Sequence, residues 1–270
     1  MTGPTSWDRR VRLDLAAYRR MICLTVDVEW AHPAVLDDLR RLIDERGLRA
    51  TFFCTHAGIE VPGHERALHP NFRADGDCLK ELVARDGLAA LRDQAATYRF
   101  VMDWFAAFAP EAQGVRGHSL HYDSQLLEIY RAHGIAYDSS YQLPLAEGLR
   151  PFWKEAGILE LPIFYNDYFD LRHAATGFDI AALGLDRPGL KVLNFHPNIV
   201  YANIADLAAY QGTRAFYHEP DRLLAARGVA TGPRDLLRRI LDKIVADSLP
   251  TATLAEVSST WRACHPSPWP

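Results

Sequence analysis

Residues suited to acid–base or metal chemistry recur directly after short apolar runs of this sequence. Each run predicts a β-strand, and the residues that follow five of them are Asp27 with Glu29, His69, Arg116 with His118, Asp167, and His196. In parallel β/α barrels the ligand site lies at the carboxyl ends of the strands. The recurrence therefore predicts that carboxylates, imidazoles and one guanidinium meet at a single rim.

Asp27 and Glu29 form the first of these groups. Their spacing of two residues predicts that both side chains point to the same side at the end of a strand. Hydrolysis of a stable amide needs a nucleophilic water, commonly activated by a metal, and a general base. The pair could supply both functions, or it could cap the helix predicted from Ala34 to Arg46. The motif alone favours neither interpretation.

The tripeptide His-Pro-Asn occurs twice, beginning at His69 and at His196, each time after an apolar run. A loop histidine would explain either occurrence alone, but the repetition favours a functional role. Arg116 also follows an apolar run. It could pair with a helix C-terminus, or it could orient Asp27 through a charge-assisted hydrogen bond.

Composition excludes several classes of function. The net charge of −4 over 270 residues makes nucleic-acid binding an unfavourable hypothesis, because phosphate recognition depends on excess positive charge. None of the four cysteines forms a C-x-x-C pair, so we expect free thiols in a reducing compartment. The N-terminus lacks the apolar segment of a secretory signal, and no run is long enough to span a membrane. We therefore expect a cytoplasmic protein.

The elements that must position these residues alternate in β/α order. Apolar runs predict about seven parallel strands in a single-domain, irregular (β/α) barrel. We expect residues 1–20 to be an N-terminal extension and residues 21–270 to form the domain. Two further elements are predicted, a long helix over residues 88–108 and a last strand over residues 251–254.

Several stretches resemble the polysaccharide deacetylase family, whose common unit is the NodB homology domain. They occur in the family's order over residues 22–198 and are ICLTVDVEW, RATFFCTHAG, GHERALHPNF, GVRGHSL with GIAYDSSY, LELPIFYNDYFD, and LKVLNFHPN. The resemblance implies a distorted (β/α) barrel and a divalent metal, usually zinc. It also implies removal of acyl groups from N-acyl sugars, so an N-acylated sugar or polysaccharide precursor is the expected partner.

The resemblance also implies roles for individual residues. Asp27 matches the family's catalytic base, and Arg116 matches the arginine that braces it. His196 resembles the general acid that protonates the leaving amine, with Asp167 orienting it.

For the metal, Glu29 takes the place of the family's aspartate ligand and His69 matches its first histidine ligand. The chain departs from the family where the second histidine ligand is usual, because that position is Arg73. The third ligand is therefore left open, and the candidates are His118, Asn71, Asp75, Asp77 and His56. Asn71 and His118 are also expected to bind the substrate.

Three functions follow from these patterns. The first is a metal-dependent deacetylase, closest to the deacetylase-like proteins of bacterial surface-polysaccharide biosynthesis and acting on a nucleotide- or lipid-linked sugar. The second keeps the fold but hydrolyses another small amide or formamide. The third is a catalytically silent sugar-binding module, in which Arg73 marks a lost metal site.

Overall fold

The computed structural model describes residues 20–269, so all but one residue of the expected N-terminal extension lies outside the described part. The strands are β1 (Ile22–Asp27), β2 (Ala50–Cys54), β3 (Glu65–Leu68), β4 (Gly114–Val115), β5 (Tyr137–Asp138), β6 (Phe152–Trp153), β7 (Leu159–Glu160), β8 (Ile163–Asn166) and β9 (Lys191–Phe195). The helices are α1 (Pro33–Asp44), α2 (Asp77–Asp86), α3 (Gln94–Ala106), α4 (Ser124–Ala132), α5 (Asp167–His173), α6 (Ile180–Leu183), α7 (Pro197–Tyr201), α8 (Leu207–Thr213), α9 (Pro220–Ala225), α10 (Pro233–Ala246) and α11 (Leu254–Cys264).

The strands form one sheet in the order β6-β7-β5-β4-β3-β2-β1-β9-β8. Every pairing is parallel except that of β6 with β7. Two residues, Leu161 and Pro162, separate β7 from β8, and the backbone N–H of Leu161 donates to Asp138 O at 2.8 Å. The β7–β8 segment therefore pairs with β5 on one side and with β9 on the other. This closure confirms the predicted single-domain, irregular (β/α) barrel.

Strand β1 shows how the sequence places polar groups inside the barrel. All six of its residues are buried, as expected for a parallel strand covered on both faces. Alternate residues pack outward against the helices, and these are Ile22, Leu24 and Val26. The intervening positions face the interior, where Cys23 belongs to an apolar cluster and Thr25 and Asp27 follow it toward the carboxyl end. The interior is thus apolar at one end and polar at the other.

Helix α11 packs against the apolar end of this interior through Leu254 and Val257. The prediction of a strand over residues 251–254 is wrong, because only Thr251 makes a bridge, with Ile22. A capping box starts the helix instead. The Thr253 N–H donates to Glu256 Oε2 at 3.0 Å, and the Glu256 N–H donates to Thr253 Oγ1 at 3.4 Å.

The predicted continuous helix over residues 88–108 is also wrong. The segment begins with a short 3₁₀ helix, Leu88–Arg92, and α3 starts only after Asp93. The Asp93 carboxylate accepts a hydrogen bond from the Ala96 N–H at 3.0 Å. An aspartate at this position starts a new helix because its side chain satisfies a free backbone donor.

Neither a disulfide nor a membrane-spanning helix contributes to the structure of residues 20–269. All four cysteines are free thiols, as predicted, and three of them are buried. Among the described residues, no helix has the length and apolar character needed to cross a bilayer.

Candidate active site

The structure brings the residues singled out above to one end of the barrel. The five positions at or after strand ends are Asp27, His69, Arg116, Asp167 and His196. A cavity of about 660 Å³ opens there, and its walls include Asp27, Glu29, His118 and His196. A second cavity, of about 690 Å³, lies at the opposite end of β3 beside His64 and holds none of these groups.

Asp27 is fixed by two buried donors. Arg116 Nη1 donates to its Oδ1 at 2.7 Å, and Asn194 Nδ2 donates to its Oδ2 at 2.8 Å. Burial acts to raise the pKa of Asp27, but the charge of Arg116, followed by that of His69 and His196, outweighs it and holds this pKa below its ordinary value. Asp27 is therefore ionised at neutral pH, in one fixed orientation.

Arg116 is itself fully buried, and several hydrogen bonds fix its guanidinium group. Its Nε donates to Ser139 O at 2.8 Å, its Nη2 donates to Ser139 Oγ at 2.9 Å, and its Nη1 also donates to Thr25 Oγ1 at 3.0 Å. The guanidinium carbon lies 4.0 Å from the centre of the Phe53 ring. Ser139 and Asn194 were not predicted from the sequence, although Asn194 stands two residues before His196 on the inward-facing side of β9.

The backbone conformation that brings Glu29 into the site differs from the extended strand that was predicted. Strand β1 ends at Asp27, and Glu29 and Trp30 have φ angles of 50° and 53°. This left-handed conformation is uncommon for residues other than glycine. The period-two explanation is therefore wrong for Glu29, although its carboxylate still lies near that of Asp27. The capping alternative is also wrong, because His32 Nδ1 accepts the hydrogen bond from the Ala34 N–H at the start of α1.

Glu29 Oε1 lies between two imidazoles, 3.0 Å from His69 Nε2 and 2.9 Å from His118 Nδ1. His69 Nδ1 must donate to Arg116 O, at 2.8 Å, because a carbonyl can only accept. In the neutral form that a metal ligand takes, the ring carries only this N–H, so His69 Nε2 has a lone pair available for a cation between it and the Glu29 carboxylate. Two zinc–ligand bonds of about 2.0–2.1 Å at a tetrahedral angle separate their ligand atoms by about 3.3 Å. The three side chains therefore fit a divalent cation such as zinc.

An unusual turn at Gly117 positions His118 beside Glu29 and His69. A Cβ atom at Gly117 would lie 2.4 Å from His121 O, so only glycine fits before His118. The Gly117 N–H donates to Ser140 Oγ at 3.0 Å, and Ser119 has a φ of 57°. The His118 ring stands edge-on to His69, with 5.4 Å between ring centres.

The other candidates for a third ligand do not join Glu29 and His69. In the described part of the chain, neither group of His, Cys, Asp or Glu side chains arranged for a metal includes Asp75, Asp77 or His56. Asn71 lines the cavity but accepts a hydrogen bond from the Arg73 N–H at 3.0 Å. The Arg73 side chain donates to exposed Asp75 at 3.0 Å. Position 73 therefore supplies no histidine beside Glu29, and His118 lies there instead.

His196 is paired with Asp167, which is buried. His196 Nδ1 lies 2.5 Å from Asp167 Oδ1, and the His196 backbone N–H donates to Asp167 Oδ2 at 2.8 Å. Burial acts to lower the pKa of His196, but the Asp167 carboxylate outweighs it and raises this pKa to about 9. Burial also raises the pKa of Asp167. At neutral pH the His196 ring is therefore protonated.

Comparison with known proteins agrees with this geometry. The family model described as WbmS-like polysaccharide deacetylase matches residues 24–214. A candidate polysaccharide deacetylase from Bordetella bronchiseptica, involved in O-antigen biosynthesis, has a solved structure that is 28% identical, with a TM-score of 0.69 over 84% of this chain and 91% of that chain. A candidate polysaccharide deacetylase from Mycobacterium smegmatis shares the fold, at 15% identity and a TM-score of 0.50 over 93% of each chain. The curated proteins include no match. Since the family model spans well over half of the sequence and includes the residues around Asp27, His69, Arg116 and His196, this chain belongs to the WbmS-like polysaccharide deacetylases.

Proposed function

We propose that this protein removes an acetyl group from an N-acetylated sugar, with a divalent metal, zinc above all, held by Glu29, His69 and His118. One observation carries the proposal. Glu29 Oε1 lies within 3.0 Å of a nitrogen of each histidine, and the ionised Asp27 and the protonated His196 stand beside this group. Ligands, a base and an acid in one cavity are the parts that hydrolysis of an amide requires.

The residues would divide the reaction between them. Asp27 would accept the proton of the attacking water, while Arg116 and Asn194 hold its carboxylate in place. His196 would donate its Nε2 proton to the nitrogen of the leaving amine, and Asp167 would stabilise the charged ring. When bound, a divalent metal supplies polarisation of the acyl carbonyl and lowers the pKa of a water molecule.

The expected substrate belongs to the chemistry of bacterial surface polysaccharides. The Bordetella relative is described as taking part in O-antigen biosynthesis, and we extend that class of substrate to this chain as part of the proposal. A cavity of about 660 Å³ has room for more than one sugar unit. Its walls carry Tyr168, whose ring centre lies 6.3 Å from that of His196. A cytoplasmic location is part of the same proposal.

Metal content and acetate release test the proposal together. Protein purified without added zinc should hold about one equivalent of metal, and chelation should abolish acetate release from N-acetylglucosamine oligomers until zinc is restored. His118→Ala should hold less than about a tenth of an equivalent. His173→Ala is the matched control, because His173 lines the same cavity but stands apart from Glu29.

The alternatives give different results in the same experiment. Wild-type protein with less than about a tenth of an equivalent of metal and no acetate release would favour the silent sugar-binding module. Metal-dependent release of formate, but not acetate, from matched N-formyl and N-acetyl sugars would favour the formamide hydrolase.

A further inference from the structure

Exposed aromatic rings are concentrated at one place beside the cavity. Four aromatic side chains of residues 20–269 are exposed, and three of them, Tyr122, Tyr141 and Phe152, are neighbours. The ring centres of Tyr122 and Tyr141 are 5.1 Å apart, and those of Tyr141 and Phe152 are 6.2 Å apart. We call these three residues the aromatic platform. A group of neighbouring exposed aromatic rings is a candidate binding surface, since large exposed apolar patches mark binding sites.

The platform is supported from below by a buried lysine. Lys154 Nζ lies 4.4 Å from the centre of the Tyr122 ring and 4.9 Å from that of Tyr141. It donates to Asp138 Oδ2 at 2.6 Å and to Glu160 Oε2 at 2.8 Å. Glu160 also accepts a hydrogen bond from the Tyr141 N–H at 3.1 Å. Lys154 therefore holds the Tyr122 and Tyr141 rings in place, although both residues are exposed.

The platform continues into the candidate active site. Leu120 and Gln142 line the active-site cavity, two residues before Tyr122 and one residue after Tyr141. Gln142 Nε2 is buried and has no hydrogen-bond partner among the described residues. An unpartnered donor is costly unless something binds it. A hydroxyl group of a molecule that spans the cavity and the platform is a suitable acceptor.

We propose that the aromatic platform binds the sugar ring adjacent to the one that loses its acetyl group. The inference rests on the proposed deacetylase function and adds that the substrate has at least two sugar units. The C–H bonds of a pyranose face pack well on aromatic rings, whose faces carry partial negative charge. Beneath the platform itself, the Lys154 ammonium is paired with Asp138 and Glu160, so the platform offers no unpaired cation to a phosphate. A neutral sugar ring therefore fits better than a nucleotide.

Dependence of the reaction on chain length tests this subsite. The quantity to measure is kcat/KM for the N-acetylglucosamine tetrasaccharide divided by kcat/KM for N-acetylglucosamine, within each variant. Phe152→Ala and Tyr141→Ala should each lower this ratio by about threefold to tenfold. Tyr141→Phe keeps the ring and should keep the ratio. Trp269→Ala is the control, because Trp269 is the one exposed aromatic residue of the described chain outside the platform. Equal ratios in all variants would overturn the subsite.

Direct binding separates failure of the subsite from failure of the proposed function. If wild-type protein releases no acetate, calorimetric titration with the tetrasaccharide still decides, since Phe152→Ala should raise its Kd by about threefold to tenfold. An unchanged Kd, or no binding by the wild type, would overturn the subsite. A third result would also overturn it. If Phe152→Ala binds uridine diphosphate N-acetylglucosamine more weakly than wild type but binds the tetrasaccharide equally well, the platform stacks on a nucleobase and not on a sugar.

Discussion

His196 Nε2 lies 3.7 Å from Asp27 Oδ2. Each of the two side chains also contacts a residue of opposite charge, Asp167 in the case of His196 and Arg116 in the case of Asp27. Arg116 holds the pKa of Asp27 below its ordinary value against the effect of burial, and Asp167 raises the pKa of His196 to about 9 against the same effect. At neutral pH one group is therefore an ionised carboxylate and the other a protonated imidazole. Divergent pKa values in adjacent groups are typical of a base paired with an acid.

Asp27→Asn should lower kcat by about a hundredfold to ten-thousandfold, because asparagine cannot accept the proton of water. The side chain is nearly isosteric, so the fold and the metal content should be largely retained. Acetate release, thermal unfolding and metal analysis would be measured on the same preparation. Asp75→Asn, at an exposed carboxylate of the same cavity, is the control. Activity of Asp27→Asn within about threefold of wild type would assign the base to another residue.

His196→Ala should slow the hydrolysis of an N-acetyl sugar steeply and that of an activated acetyl ester much less. An amine leaves only after it gains a proton, whereas an activated ester has a leaving group that needs none. The measurement is kcat on both substrates, expressed per folded molecule. Equal losses on amide and ester would show that His196 has no acid role. Loss of stability with unchanged turnover would assign it a structural role.

Asp167→Asn should move the alkaline limb of the pH–rate profile to lower pH. His196 acts in its protonated form, so activity falls as pH rises through its pKa. The Asp167 carboxylate raises that pKa, and its removal must therefore lower it. The test is kcat/KM against pH for both proteins, with metal content confirmed in each. An alkaline limb that stays in place or moves to higher pH would contradict the pairing.

Local periodicity was sufficient to predict much of this site. Asp27 continues the inward-facing positions Cys23 and Thr25, and a parallel strand fixes that alternation without help from distant residues. Since the carboxyl ends of parallel strands share one edge, the positions of His69, Arg116 and His196 followed from the strand ends alone. The barrel fold was predicted in a similar way, from the alternation of strands and helices along the chain.

Long-range geometry could not be predicted in this way. Glu29 depends on a left-handed turn that breaks the strand period, and the pattern of residue types does not report a positive φ at a glutamate. The approach of His118 to Glu29 depends on the Gly117 turn and on packing between distant segments. The support of Asp27 by Asn194 joins residues 167 positions apart. Each of these contacts exists only once the barrel has closed.

The buried pairing of Lys154 with Asp138 and Glu160 gives a prediction about stability. All three side chains are nearly inaccessible to water, and burial, followed by the charge of Asp138, raises the pKa of Glu160 to about 8. Lys154→Met leaves the buried Asp138 carboxylate without its cation and Glu160 without its hydrogen-bond donor, which should lower the free energy of unfolding by about 3–5 kcal/mol. Lys243→Met, at an exposed pair with Asp247, should have far less effect because water screens that pair.

Denaturant unfolding of both variants is the measurement. Adding Asp138→Asn and Glu160→Gln to Lys154→Met should restore much of the loss, because neither position can then hold an uncompensated charge. If Lys154→Met unfolds like wild type, or if the triple variant is no more stable than the single one, charge compensation by Lys154 is not what stabilises this part of the barrel.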